Sequence, residues 1–510
     1  MKRDVLDRLI YVAVAVLLAV LGEFFVWGNS LGLGFVLFIA VFLVLFVGLS
    51  AYFKHIRNKL AFLFLIPIAV LCFDIFRFNN HLVVFFGPLL VLGLIFLFCV
   101  LLTVRNSQTY DFALSRVPVL RNVLSALSGL RGVFADIFSP IPFLTKNKNT
   151  KMILLGILIA IPVLLIFLGL FMSADALFAD WIRHIFDFET DPLFLEKVLR
   201  VGFFGLILSS FFYVLMSEKH DLLDKTVAAV KIDNVISTVV LGVVNLLFLS
   251  FVFFQIKYLF GGASFVLENG LRFAEYARSG FFELAWVMVF ALVLVSVVYW
   301  SMSHHGYSKL VNGLQVLLVL QVGVVAVSAL RRMELYQDTY GYTVLRLYVE
   351  WFIYFALVVL AFVAISVLMR LKFSKFFYAG LIMGIVALVA VFSVNVDYMI
   401  AKENVERYVN HEGGWFGNEK ALDVSYLSRK LSVDILPVFV DYDKSDFSDP
   451  EYVAIINMIE LDYEMLDRHE TSIFEYNLGR LEAVSVKNKL GEIYGPFCLK
   501  ERSWDGTCAQ

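Results

Sequence analysis

Apolar residues fill most of this chain in long uncharged blocks, separated by short polar stretches. The blocks are Leu9–Trp27, Leu33–Phe53, Leu60–Phe76, Leu82–Val104, Met152–Met172, Val198–Met216, Val235–Leu259, Leu284–Trp300, Leu310–Leu330, Val344–Met369 and Phe376–Val396. A run of about 18 apolar residues is long enough to cross the hydrocarbon layer as a helix. The pattern therefore predicts an all-α fold, a polytopic membrane bundle of about eleven spans over residues 1–396. Pro67, Pro88 and Pro162 lie inside these runs, where membrane helices tolerate proline.

From Asp397 the pattern changes to apolar residues at i, i+3 and i+4. That spacing predicts amphipathic helices over Ala421–Val433, Pro450–Arg468 and Ser472–Leu490, the second opened by Asp449-Pro450-Glu451. Residues 397–510 are thus expected to form a small, mostly helical soluble domain. Two connections also carry helical apolar spacing and read as surface helices, Ser115–Phe138 on one face and Ala174–Phe188 on the other.

Charge sharpens this division. The tail from Asp397 holds 12 Lys and Arg against 22 Asp and Glu, a net of −10, in a chain whose total is −2. Lys and Arg are about twice as frequent on connections that share a side with the N-terminus as on the others. The positive-inside rule then places the N-terminus on the cytoplasmic side. An odd number of spans puts the acidic tail outside. Lys2, Arg3 and Arg8 precede a first run that is long and lacks a small-residue cleavage site, so it reads as an uncleaved helix.

Little of this supports catalysis. All eight histidines lie outside the apolar runs, and no GxSxG, HExxH, Walker or dinucleotide fingerprint occurs in a usable context. No metal, cofactor or nucleic-acid partner is expected, and membrane lipids are the expected surroundings. The polar residues that stand out gather toward the predicted outer face: Arg278, Glu283, Arg332, Tyr336, Tyr340, Arg346, Glu350, Asn395 and Asp397. One reading is a set of interfacial charges that clamp the connections to the tail. The other is a polar vestibule for an anionic or sugar-bearing ligand. In either case Asp397 or Glu350 is expected to pair with Arg278, Arg332 or Arg346, and the Arg332–Arg346 connection to dock on the start of the tail. Gly341 suits a position with positive φ. Cys498 and Cys508 enclose nine residues in the tail; they are expected to form a disulfide if the tail is exported, the alternative being two free thiols.

Several short patterns occur together. They are Tyr276-Ala277-Arg278 with Gly280-Phe281-Phe282-Glu283-Leu284; Arg332-Met333-x-Leu335-Tyr336 with Tyr340-Gly341-x-Thr343-x-x-Arg346; and Asn395-x-Asp397 with Ile400-Ala401, Asn404 and Arg407. Tyr426-Leu427, Leu431-Ser432, Pro437, Asn477 and Arg480 follow. Over roughly residues 151–480 the chain resembles the bacterial membrane family known as domain of unknown function 4173, with its sister 4153. The resemblance implies a multi-span membrane protein with a C-terminal extension and no established activity. The leading expectation is a non-enzymatic envelope scaffold, sensor or regulator. The alternative is a transporter or lipid-handling protein, and the third is a lipid-linked-sugar glycosyltransferase-like enzyme. That last class generally has acidic residues in a sizeable first external loop, whereas Gly28–Gly32 is short and has no carboxylate.

Overall fold

An apolar run inside a bilayer has no water to satisfy its backbone, and a helix answers this by bonding every N–H within its own segment. In the computed structural model, which describes residues 2–103, 194–216, 234–268, 281–305, 308–410, 422–468 and 473–495, all regular structure is accordingly helical. The helices are α1 (Lys2–Phe25), α2 (Leu33–Tyr52), α3 (Leu65–Arg77, led by a 3-10 turn at Lys59–Phe64), α4 (His81–Thr103), α5 (Phe194–Met216), α6 (Asn234–Glu268), α7 (Phe281–His305), α8 (Lys309–Tyr340), α9 (Val344–Leu368) and α10 (Phe373–Phe392). The tail adds α11 (Val396–Val409), α12 (Val424–Lys430), α13 (Asp449–Arg468), α14 (Leu478–Ser485) and α15 (Lys487–Tyr494).

Ten of the eleven apolar runs coincide with helices; Met152–Met172 lies outside the described residues, as do the expected surface helices at 115–138 and 174–188. Seven helices among the described residues are long and apolar enough to cross a membrane: Leu33–Tyr52, Lys59–Arg77, His81–Thr103, Asn234–Phe253, Lys309–Asp338, Val344–Leu368 and Lys375–Phe392. Ile10–Phe25 and Trp286–Met302 are shorter apolar helices.

The chain divides into two compact units. The first holds the described residues up to Arg77, 86–103, 194–216 and 473–477. In it α1 runs along α5, with Tyr11 edge-on to Tyr213. Phe42, Phe46, Phe98 and Phe212 form its aromatic centre. Arg200 on α5 holds Glu23 on α1 through both carboxylate oxygens (3.0 and 2.5 Å) and lies 4.8 Å from the Trp27 ring. This is how two charges near the hydrocarbon boundary are made tolerable. The segment Ile473–Asn477 packs on the turn into α2. Leu33 donates its N–H to the Tyr476 carbonyl (2.9 Å), and Phe474 meets Phe24 and Phe25 edge-on. A Cβ at Gly32 would stand 2.5 Å from the Tyr476 oxygen, and one at Gly34 would overlap the Phe25 carbonyl, so only glycine permits this approach.

The second unit holds Phe78–Phe85, the described residues from 234 to 468, and those from 478 onward. Helix α8 is its axis, packed by α6, α7 and α9. Its core is Val311, Leu318, Val322, Val325 and Ala326 against Leu241, Val295, Ile353 and Leu360. Amides from α6 and α8 fasten neighbouring helices. Asn245 donates to the Leu314 carbonyl (3.1 Å), Gln315 to Val295 (3.3 Å) and Gln321 to Asn245 (3.3 Å). A separate apolar cluster lies in the tail, with Leu427, Ile435, Leu436, Phe439, Ile455, Ile459 and Tyr463 at its centre and Leu347 of α9 contributing.

Three local expectations are corrected. Residues 331–340 are not a loop. Helix α8 continues through them, helped by the Arg331–Glu334 pair (2.9 Å) at i, i+3, so the connection to α9 is only Gly341–Thr343. The expected helix at 421–433 is confined to α12, whose Asp423 cap accepts the Tyr426 N–H, and it is followed by a 3-10 segment at Val433–Asp441 containing Pro437. The expected helix at 472–490 is broken into Ile473–Glu475, α14 and α15; at the first break Asn477 donates to the Ile75 carbonyl (3.1 Å) within the first unit.

Candidate functional site

Helix α8 has 32 residues and, at 1.5 Å each, is about 48 Å long, more than a hydrocarbon layer of about 30 Å requires. Its last turns, where the sequence changes from apolar to polar, carry Tyr336, Gln337, Asp338 and Tyr340, residue types that suit the end of a span. Gly341 ends the helix at φ +74° and ψ −178°, a region open almost only to glycine. Thr343 then caps α9, its hydroxyl accepting from the Arg346 N–H.

This sharp turn is gripped from the tail by α11. The Tyr342 N–H donates to Asn404 Oδ1 (2.8 Å), and Asn404 Nδ2 donates to the Tyr342 carbonyl (2.8 Å). One carboxamide thus satisfies both backbone groups of a residue with no helical partner. Arg407, one turn on, donates to the Asp338 carbonyl (2.6 Å), lies 3.7 Å from its carboxylate and stacks 5.5 Å from the Tyr342 ring. From α12 the Tyr426 hydroxyl accepts the Val344 N–H (2.8 Å). Arg346 closes the turn from inside, donating to the Tyr340 and Gly341 carbonyls (3.0 and 2.7 Å) with its guanidinium 4.0 Å from the Tyr336 ring. Tyr336 and Tyr340 meet edge-on at 5.3 Å.

The expected docking of this connection on the start of the tail is present, and Gly341 has the expected positive φ. The expected ion pairing with Arg332 or Arg346 is not, and Arg278 lies outside the described residues. Among the described residues neither Asp397 nor Glu350 pairs with an arginine: Glu350 accepts from Gln337 (2.9 Å), and Asp397 accepts from the Ser432 N–H (2.8 Å). A buried carboxylate needs donors, and here a backbone amide supplies one where a guanidinium was expected. Asn395 caps α11 by accepting from Tyr398 (3.1 Å). Arg332 is half-buried on α8. Arg278, Cys498 and Cys508 lie outside the described residues, and Glu283 is described only by its place in the first turn of α7.

A second joint in the same unit joins Arg480 to Asn79 and Asp434, two residues that the sequence did not single out. Asp434, 3% exposed, accepts at one oxygen from the Asn79 N–H (2.8 Å) and at the other from Asn79 Nδ2 (3.1 Å). Arg480 donates to Asn79 Oδ1 (3.1 Å). Burial pushes Asp434 up to about 6 against the pull of the two Asn79 donors, and the negative charge of Asp397 adds to the rise. Burial also raises Asp397, with Ser432 and His81 pulling back. On α13, burial alone pushes Asp462 up to about 7. Nothing in the sequence distinguishes Asp434 and Asp462 from the other acidic residues of the tail, because the signal is their burial. No group of three metal-binding side chains occurs among the described residues.

Compared with known proteins, residues 65–442 match the family described as Domain of unknown function (DUF4153), a stretch that includes both joints apart from Arg480. No curated protein matches, and no solved structure matches.

Proposed function

We propose, on the premise that this chain belongs to the family described as Domain of unknown function (DUF4153), that it is an integral membrane protein working as a non-enzymatic envelope scaffold, sensor or regulator. The observation that carries this reading is the closure of the polar cluster. Asn404, Arg346 and Arg407 direct their donors at main-chain carbonyls of the α8–α9 turn, so the cluster serves to hold the tail to the bundle. An arginine engaged in this way is not a free charge waiting for an anionic ligand. In the cell the protein lies in a bacterial inner membrane with about eleven spans, its N-terminus in the cytoplasm and its acidic domain of residues 397–510 outside. The excess of Lys and Arg on the N-terminal side supports this orientation.

Cysteine labelling at the exposed Ser445 tests the orientation. Reaction in intact cells with an impermeant maleimide is expected, and reaction only after the inner face is opened would reverse it. The functional reading is tested by native mass spectrometry of the protein purified with lipid. A scaffold releases no small anionic or sugar-bearing solute, whereas a stoichiometric solute displaced by Arg346→Ala would favour a vestibule.

One observation favours a transporter as the second reading. The side-chain oxygens of Asn245, Gln315 and Gln321 are buried without a donor inside the α6–α9 bundle. Polar groups in such a place commonly line a path for water or solute.

A further inference from the structure

We propose that α14 lies in the lipid headgroup layer, with Leu478, Leu481 and Val484 inserted into the bilayer beside the start of α4. This goes beyond the scaffold reading, because it names the surface on which the tail rests and holds on whichever side of the membrane the tail lies.

The argument starts from the two sides of this eight-residue helix. Gly479 and Ala483, four apart, form its buried side. The tail core reaches it there: Tyr463 of α13 donates its hydroxyl to the Ala483 carbonyl (2.8 Å), and the 3-10 segment Val433–Asp441 packs on the same helix. Leu478, Leu481 and Val484 fall at i, i+3 and i+6 on the opposite side, and they are 36%, 42% and 50% exposed. A helix on the surface of a water-soluble domain turns its large apolar residues inward and its polar residues outward. Here the two smallest residues face the core and three large apolar ones face out.

The position of α14 says what covers them. Arg480 donates to Asn79 Oδ1 (3.1 Å), and Asn79 lies two residues before α4, the candidate span His81–Thr103. Asp434 holds the same Asn79 by its N–H and its carboxamide. Two elements of the tail are thus fastened where a span begins, at the edge of the hydrocarbon layer. Asn79, Asp434, Arg480 and the first turn of α4 all belong to the second unit. Val484 follows Arg480 by one helical turn, so the apolar side of α14 begins on the flank that meets α4. On that first turn Val84 and Phe85 are 40% and 67% exposed, and in a span the surface so exposed faces lipid. The same lipid borders α14. Three side chains on so short a helix would hold a bilayer weakly alone, and the joint at Asn79 keeps them beside it.

Nitroxide labels in the full-length protein, reconstituted in phosphatidylcholine–phosphatidylglycerol nanodiscs, test this. Labels are placed singly by Leu478→Cys, Leu481→Cys and Val484→Cys, so that one variant that misfolds leaves the others. Cys498→Ala and Cys508→Ala form the background, and Cys72 and Cys99 are buried. Collisions with oxygen and with a water-soluble nickel chelate report depth. The α14 labels are expected about 5–10 Å into the headgroup and acyl boundary. Leu92→Cys, on the exposed side of α4, should lie deeper, and Ser445→Cys should be in water. Labels on α14 as open to nickel as Ser445→Cys would overturn the proposal while leaving the α4 span intact. Labels shielded from both reagents would overturn it too, because another protein surface would then cover the helix. A Leu92→Cys label in water would remove the membrane reading itself, and the proposal with it.

Discussion

The two joints of the second unit use the same device with different chemistry. At Tyr342 a neutral carboxamide takes both polar groups of one residue's backbone. At Asn79 a carboxylate takes a backbone N–H and a side-chain N–H of one residue. The amide needs no counter-charge and does not titrate near neutrality. The carboxylate makes stronger individual bonds but carries a buried charge, and its pKa moves to about 6 in consequence. One joint is fixed and the other is conditional.

The largest expected effect comes from the turn that the fixed joint grips. Alanine at Gly341 must hold a φ of +74°, and its Cβ would stand 2.7 Å from Asn404 Oδ1. Backbone strain and loss of the clamp together should cost about 3–4 kcal/mol, read as a lowered Tm or loss of the monodisperse peak in detergent. Asn404→Ala leaves the N–H and C=O of Tyr342 without partners and should cost about 2–3 kcal/mol. That loss should be the same at pH 5 and pH 8. A strongly pH-dependent loss would break the comparison.

The conditional joint should appear as a pH slope. The folded pKa of Asp434 lies above its ordinary value of 3.8, so its stabilising contribution is complete below that value and is lost as pH rises through about 6. Asp462 behaves in the same way through about 7. Asp434 should make the protein less stable at pH 8 than at pH 4 by about 2–3 kcal/mol and Asp462 by about 4 kcal/mol, and the corresponding Asp→Asn variant should remove its own part of the slope in thermal unfolding. Arg346→Ala removes two bonds to carbonyls and a ring contact at a half-buried site, and about 1–2 kcal/mol is expected. Smallest of all, Arg331→Ala breaks an exposed i, i+3 pair and should change Tm by less than about 0.5 kcal/mol in equivalent stability.

Helices were legible in the sequence wherever the apolar runs were long, because a bilayer leaves the backbone one solution. The 331–340 segment misled because charge and tyrosine look the same at the end of a long helix as in a loop. The i, i+4 spacing of Arg332, Tyr336 and Tyr340 was the sign that the helix continues. The docking of this segment on the tail was also legible, since so polar and aromatic a turn needs partners. Its chemistry was not. Reasoning from charge led to Asp397 and the arginines, whereas Asn404 and the Ser432 N–H supply the donors, and spacing cannot tell which amide a carboxylate will meet. Asp434 was invisible for a further reason: its partner Asn79 is distant in sequence and Asp434 sits in an irregular 3-10 segment with no helical periodicity.

The polar motif residues form a closed clamp on the α8–α9 turn. Amide exchange at Tyr342 measures this most directly, because its N–H has Asn404 Oδ1 as acceptor. The full-length protein should protect this amide equally at pH 5 and pH 8 after intrinsic correction, and Asn404→Ala should reduce the protection at least about tenfold. Exchange at the unprotected rate in the wild type, or protection that survives Asn404→Ala, would contradict the clamp.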